Sequence, residues 1–526
     1  MTRRPLAIAL FAALISALVI VPSGAASAAV PVPARLSTTS AAGVAILSSR
    51  TAFPAAGSAG TVVVTNGANV MLGSIAGSAA ASLDGSLLLT APTVMSAATR
   101  AELDRLAPEH VLIVGSTKDV SAAVEAKLRA AYPGTERISG TDVYATSVLL
   151  ASRSVTTAQN VFVVPGDAAP SVISAAALAG TSRSPLVLVR PADVAARADL
   201  VTLVQAKGVT SATLVGGVPA SAAGMQQSLQ SKGLQVDRVT ASGYPAMALA
   251  LATRFTAPER AFIVPTSSSA LGLGAIVLAA RAGSPVIFSS AMCVNPSLTA
   301  TLTSTAISAV TLVGTTKQIR GLVGSLTLCL STTTPSSPWV FVNKKNRLNP
   351  ASYVPKSLRV PSIRRTGSHL LQSTAATQLE KLAAGVKAAG KGEIGIVSGY
   401  RSYATQKALY ARYVRTNGQA WADSQSARAG HSEHQLGLAA DVSACSASGC
   451  SSIYTFDKTA QGKWVAANAH KYGFVIRYAY GQTKTTGYAF EPWHLRYVGI
   501  PLATDYKAGG FTTLEAYYGK PAAPKY

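Results

Sequence analysis

The sequence predicts an N-terminal α/β region of three tandem parallel-sheet modules, followed by a C-terminal α+β domain. Three observations carry this expectation: an internal period near 100 residues, apolar strand-like runs alternating with Ala-rich helix-permissive stretches, and a break in composition at a polar, proline-bearing segment. The 526 residues leave room for three or four domains of about 150 residues each. With 48% apolar residues against 13% charged, disorder is excluded for most of the chain.

In chain order, Arg3 and Arg4 precede an uncharged apolar run from Leu6 to Val21, and the small-residue site Ala26-Ser27-Ala28 follows. This is the layout of a secretory signal peptide over residues 1–28. The run is shorter than the roughly 20 residues a membrane span needs, and no later stretch is long and apolar enough. The expectation is export, cleavage near Ala28 and no membrane span afterwards.

The modules follow, with boundaries read at 40–135, 136–237 and 238–330. First strands recur as Thr61-Val-Val-Val-Thr65, Val161-Phe-Val-Val-Pro165 and Ala261-Phe-Ile-Val-Pro265. Second strands recur as Leu87-Leu-Leu89, Leu186-Val-Leu-Val189 and Val286-Ile-Phe288. The third series reads Val111-Leu-Ile-Val-Gly115, Ala212-Thr-Leu-Val-Gly216 and Val310-Thr-Leu-Val-Gly314. Between them lie helix-permissive stretches such as Ser171 to Leu178, and amphipathic ones such as Val120 to Ala131. Continuous apolar strands alternating with helices imply parallel sheets covered on both faces. Glycine at the third strand's end suits a tight turn, and the same edge is where open α/β sheets hold ligands. No nucleophile or His/Asp/Glu constellation recurs here, which points to binding or scaffolding.

Residues 331–338 read as a linker, 339–500 as a second domain and 501–526 as a tail. The net charge is +24, and 24 basic against 9 acidic residues lie from Trp339 onward. Such a balance suits an acidic partner, and for an exported chain that is an envelope surface rather than nucleic acid. Four cysteines fall into two local pairs, Cys293 with Cys329 and Cys445 with Cys450, read as structural disulfides.

Chemistry concentrates in two compact motifs, Ser432-Glu-His-Gln-Leu-Gly-Leu-Ala-Ala-Asp441 and Glu491-Pro-Trp-His494. Catalytic zinc takes three N or O ligands and keeps one position open. His434, Asp441 and His494 supply that set, and Glu491 is left over as a base. A turn at Gly437 into a strand from Leu438 to Val442 would aim His434 and Asp441 into one cleft. Arg401, where a strand from Ile394 to Val397 gives way to a helix from Tyr403, is the candidate for stabilising oxyanion charge. That helix presents Gln406 and Tyr410 on one face. Glu433 reads as a residue that orders local backbone, and His110, His369, His431 and His470 as structural or surface groups.

Two resemblances follow from these motifs. Arg137-Ile-Ser-Gly-Thr-Asp-Val-Tyr-Ala-Thr146, the Leu-Val-Gly-Gly217 strand end and the 100-residue period resemble the cell-wall-binding repeats of bacterial surface proteins over about residues 40 to 330. The likeness implies attachment to anionic wall polymers. The family's Gly-Asp pair survives only as Gly166-Asp167, so a spacer role stands as the alternative.

From about Phe341 to Val498 the chain resembles the VanY-like D-alanyl-D-alanine carboxypeptidases. The likeness rests on Val342-Asn-Lys344, Tyr353-Val-Pro355, Ser398-Gly-Tyr-Arg-Ser402 with Gln406, the motif from Ser432 to Asp441, and Glu491-Pro-Trp-His-Leu-Arg-Tyr-Val-Gly499. It implies Zn2+ on His434, Asp441 and His494, Glu491 as base and Arg401 polarising the scissile carbonyl. Gln406, Ser432 and Trp493 would meet the substrate. The expected activity is removal of the terminal D-Ala from peptidoglycan stem peptides by a secreted, wall-associated enzyme. L,D-carboxypeptidase or L-Ala-D-Glu endopeptidase cleavage, or a noncatalytic wall-binding protein with a vestigial peptidase domain, are the alternatives.

Overall fold

The computed structural model describes residues 32–526 apart from 167, 168, 217, 218 and 368. The signal segment 1–28, Asp167 and Gly217 therefore lie outside the described residues. Among those described, no helix is long and apolar enough to cross a membrane.

The three apolar series form three of the four strands of each of three parallel sheets. In each sheet the first strand of the module lies between the second and third, as Thr61–Asn66 does between Ser86–Thr90 and His110–Val114. Each sheet has a fourth strand that the apolar pattern does not reveal. Thr135–Ile138 and Gln235–Val239 complete the first two sheets, pairing only with the third strand. These strands sit at an edge, partly exposed, so their sequences are polar and carry no apolar run.

The third sheet takes its fourth strand from the other end of the region. Arg35–Leu36 pairs in parallel with Ala309–Val313. The two arginines do the same work: Arg137 donates to the carbonyls of Gly115 at 2.6 Å and Val120 at 2.7 Å, and Arg35 to those of Gly314 at 2.8 Å and Ile319 at 3.0 Å. Each fourth strand leads into a helix that covers the neighbouring module's sheet. Helix Val143–Ser154 lies on Leu186–Val189, Tyr244–Ala252 on Val286–Ser289, and Ala41–Ala52 on Ser86–Thr90. The modules thus close into a ring through the N-terminal segment.

Helices Val70–Ser82, Ala169–Thr181 and Leu271–Arg281 pack on one another at the centre. They are apolar on every face because every face is covered. Small residues set the spacing: a Cβ at Gly77 would meet Ile276 at 3.0 Å, and one at Gly180 would meet Ala81 at 2.8 Å.

The C-terminal domain is a sheet with helices against it. Strand order is Arg364–Arg365, Glu393–Ser398, Ala439–Ser446, Glu491–Tyr497 and Phe474–Tyr478, antiparallel except for the first pair. Helix Ser373–Ala388 buries Leu379, Leu382 and Val386 against it. Both cysteine pairs are disulfides.

Residues 501–526, set apart as a tail by the sequence pattern, are folded onto this domain. Leu502, Tyr506, Leu514 and Tyr517 are buried with Trp339 and Phe341, and Cys293 and Leu322 of the third module join the same cluster. Asp505 accepts from Gly321 N at 2.6 Å, and Arg320 donates to the Tyr517 carbonyl at 2.9 Å. The expected linker is docked as well, with Arg496 donating to the Pro338 carbonyl at 3.0 Å.

Candidate active site

Two adjacent antiparallel strands and the turn before one of them build the site. Ser432 opens a short 3-10 turn, Glu433–Leu436, which Gly437 ends in the left-handed region at φ 64°. The chain then enters strand Ala439–Ser446. There Asp441 stands directly across from His494 of strand Glu491–Tyr497 and, on the other side, from Ser398. Register alone therefore brings Asp441 and His494 together, and the turn at Gly437 returns His434 to them.

The three side chains converge. His434 Nε2 lies 3.3 Å from Asp441 Oδ2, and His494 Nδ1 lies 3.2 Å from Asp441 Oδ1. One donor atom from each lies within 4.8 Å of the others. Two metal ligands at about 2.0–2.1 Å in a tetrahedron stand about 3.3 Å apart, so the spacing fits a zinc-sized ion. Asp441 Oδ1 is buried without a hydrogen bond, an orphaned acceptor of the kind a cation satisfies. The donor set could hold Zn2+, with two imidazoles and one carboxylate.

The two histidines are held in opposite senses. His434 Nδ1 lies 2.7 Å from the Gly399 carbonyl, so it donates there and Nε2 faces the cluster. His494 Nε2 lies 3.3 Å from Glu433 Oε2, which leaves Nδ1 for the cluster. Burial lowers the His434 pKa. Burial acts the same way on His494, but the adjoining Asp441 and Glu433 carboxylates outweigh it and raise the imidazole to about 10. Burial would raise Asp441, yet the two histidines hold its carboxyl well below the usual range.

Glu491 stands beside this cluster, with Oε2 3.7 Å from His494 Nδ1. Burial pushes its carboxyl up to about 8, against the pull of His494. Arg401, Ser432, Trp493 and Glu491 line one cleft with the three converging residues. Arg401 is fixed by its neighbours, donating to Gln406 Oε1 at 2.8 Å and Ser398 Oγ at 3.0 Å.

Not every expected residue faces the cleft. Gln406 is fully buried behind Arg401, and its amide donates to Ser426 Oγ and to the Ala427 carbonyl. That geometry makes it a support for Arg401 rather than a substrate contact. Tyr410 turns away to Asp423 at 2.6 Å. The Ser432 hydroxyl has no hydrogen-bond partner among the described residues, and Trp493 packs edge-on against Tyr454 at the cleft wall.

Glu433 departs from expectation. Its side chain does not order backbone but meets Arg477 and Arg496 at 2.9 Å each, as well as His494. Burial would raise its pKa, and the two guanidiniums hold it far below the usual range. The sequence carries a signal for these arginines. Each interrupts an apolar strand, in Phe474-Val-Ile-Arg-Tyr478 and Leu495-Arg-Tyr-Val498, where a charge must be paired.

Fold and site together define a two-part protein, a ring of α/β modules carrying a peptidase-type α+β domain. The family model for D-alanyl-D-alanine carboxypeptidase (VanY) matches residues 368–500, and that for cell wall binding domain 2 (CWB2) matches residues 137–223. The chain is 39% identical over 191 residues to YodJ of Bacillus subtilis (strain 168), a protein named as a carboxypeptidase; the match covers 35% of this chain and 68% of that one. It is 36% identical over 150 residues to the bifunctional D-Ala-D-Ala dipeptidase and D-Ala-D-Ala carboxypeptidase VanXYC of Enterococcus gallinarum, covering 28% of this chain and 77% of that one. Among solved structures, Cwp8 from Clostridium difficile shares the fold with a TM-score of 0.50 at 19% identity, over 55% of this chain and half of its own. The chain belongs to the VanY D-alanyl-D-alanine carboxypeptidase family, with a cell wall binding domain ahead of its peptidase domain.

Proposed function

We propose that the protein is a secreted, wall-associated, zinc-dependent carboxypeptidase that removes the terminal D-Ala from peptidoglycan stem peptides. The observation that carries this reading is the convergence of His434, Asp441 and His494 in one cleft with the Glu491 carboxylate and the Arg401 guanidinium. Bound zinc supplies Lewis acidity, which brings the pKa of a coordinated water toward about 7 and polarises a carbonyl.

The chain's own residues do the rest. Glu491 takes the proton of the attacking water and returns it to the leaving amine of D-Ala as the C–N bond breaks. Glu491 stands beside the cluster, with Oε2 3.7 Å from His494 Nδ1, within reach of a water held there. Arg401, held by Gln406 and Ser398, presents fixed positive charge to the carbonyl oxygen as it becomes anionic. The free Ser432 hydroxyl and the Trp493 face meet the terminal residue of the stem.

The module ring holds the enzyme to anionic wall polymers, and the basic balance of the chain supports that attraction, which should weaken with salt. The deciding experiment is mass spectrometry of defined muropeptides ending in D-Ala-D-Ala, incubated with the full-length protein with and without chelator. The expected result is loss of one alanine, blocked by chelator and restored by zinc. An internal cut would replace the reading with endopeptidase activity, and no cut by the metal-loaded protein would sink it in favour of a wall-binding role.

A further inference from the structure

Glu433 takes no part in the proposed reaction, yet its buried carboxylate meets three side chains, Arg477, Arg496 and His494. One oxygen, Oε1, accepts from Arg477 Nε and Arg496 Nη1, which leaves Oε2 for His494 Nε2. Glu515, from the folded C-terminal segment, grips the far side of Arg477 with two bonds of 2.8 and 2.9 Å. All four charged side chains are buried, two acidic and two basic, so removing one would strand an unpaired buried charge.

The consequence falls on His494. A neutral imidazole carries one proton, and where it sits is set by the acceptor it can reach. With a carboxylate at Nε2, the proton stays there and the Nδ1 lone pair points to Asp441 and the donor cluster. For His434 a neutral backbone carbonyl does this; for His494 it is a charged, buried side chain. A carboxylate acceptor also makes an imidazole a better electron donor at its other nitrogen.

We propose that Glu433 is the positioning residue that fixes His494 as an Nδ1 metal donor, and that Glu515 sustains it through Arg477. Metal retention then depends on the C-terminal segment, the same segment whose Asp505 and Tyr517 backbone dock the third module. The proposal rests on the metal-site reading above, but its test does not rest on turnover.

The test uses the full-length protein, with zinc affinity measured by competition against a chromophoric chelator and the site's geometry read from the absorption spectrum of the cobalt(II) form. Glu433→Gln alone leaves two arginines facing one carboxylate, so it is paired with Arg496→Met to keep the network balanced. In that double variant zinc affinity should fall about 10- to 100-fold and the cobalt spectrum should change, while the thermal melt of the metal-free protein keeps its cooperative transition. Glu515→Gln paired with Arg477→Met, which likewise leaves one carboxylate with one guanidinium, should show a smaller loss in the same direction, and it decides alone if the first double variant does not fold. Unchanged affinity and an unchanged spectrum in the folded variants would overturn the proposal. An unmodified protein that takes up neither zinc nor cobalt would overturn the metal reading and this proposal with it.

Discussion

The ring and the peptidase domain bury different things. Among the described residues, the ring interior is mostly aliphatic or small with a few aromatics such as Phe262 and Phe288, and its one fully buried carboxylate, Glu102, is closed off by Ser49, Arg50 and Arg105. The peptidase domain buries Glu433, Asp441, Glu515, Arg477, Arg496, His434 and His494 within a few strands of one another. Burying apolar area stabilises at about 25 cal/mol per Å2 without asking for direction. Burying charge stabilises only when every partner is in place. The ring is therefore held by shape, while the peptidase adds a buried charge network to its apolar core, and that addition is what pre-organises a field for chemistry. Each half should fail in its own way, independently of the other.

The strongest test of that independence removes the base. Glu491→Gln keeps the volume and takes away the proton acceptor, so kcat should fall by about 10²- to 10⁴-fold, with zinc content and the melting of the ring unchanged. Retention of full activity would remove Glu491 from its role. Arg401→Ala should cost about 10²- to 10³-fold in kcat, the scale of losing one oxyanion partner. Because Gln406 holds Arg401, Gln406→Leu should reproduce part of that loss in kcat with little change in KM; a loss confined to KM would return Gln406 to the substrate.

How far the sequence spoke follows the same division. Apolar runs at a fixed period reveal strands that are buried on both faces, so the first three strands of every module were legible, the second even at a sheet edge because a helix covers it. The fourth strands were not, because they lie at the opposite, partly solvated edge and are short or polar. Arg35–Leu36 is only two residues long and lies 274 positions before Ala309, the start of the strand it joins, so no local pattern could assign it to the third sheet. In the peptidase domain the convergence of His434, Asp441 and His494 with Glu491 was legible because they sit in two short motifs. Glu433, Arg477, Arg496 and Glu515 were not read as a unit, because their pairing is made by strand register and by a segment that looks like a tail.

Within the ring the comparison can be broken from the other side. Gly274 lies where helix Leu271–Arg281 crosses helix Ala41–Ala52, and a Cβ there would run into the backbone at Ala41 and Ala45. Gly274→Leu should therefore push away the helix that follows the closing strand and destabilise the ring by about 1–3 kcal/mol, seen as a lower first transition in a thermal melt. Hydrolysis of a short soluble peptide ending in D-Ala-D-Ala should stay within about twofold of the unmodified protein, as for independent sites, whereas sedimentation with purified walls should weaken. Equal loss of both activities would mean that the ring is part of the catalytic unit.

His494, raised to about 10 in the metal-free protein, is protonated at neutral pH, and Glu491, raised to about 8, is largely protonated as well. A proton on His494 Nδ1 must leave before that nitrogen can donate to a metal. Metal uptake at pH 7 should then release at least about one proton, and apparent affinity should rise by about tenfold per pH unit while His494 remains protonated in the free protein. Calorimetry in buffers of different ionisation enthalpy reads the proton count directly. The same raised pKa makes the metal-free domain lose stability as pH climbs from about 6.5 toward about 10, because the charged imidazole that Asp441 and Glu433 favour is being neutralised. Zinc should reverse that slope, since the bound form needs the neutral ring. The ring, which buries no histidine among its described residues, should melt with no such dependence, and a pH-driven loss shared by both halves would show that their interface, not His494, carries the titration.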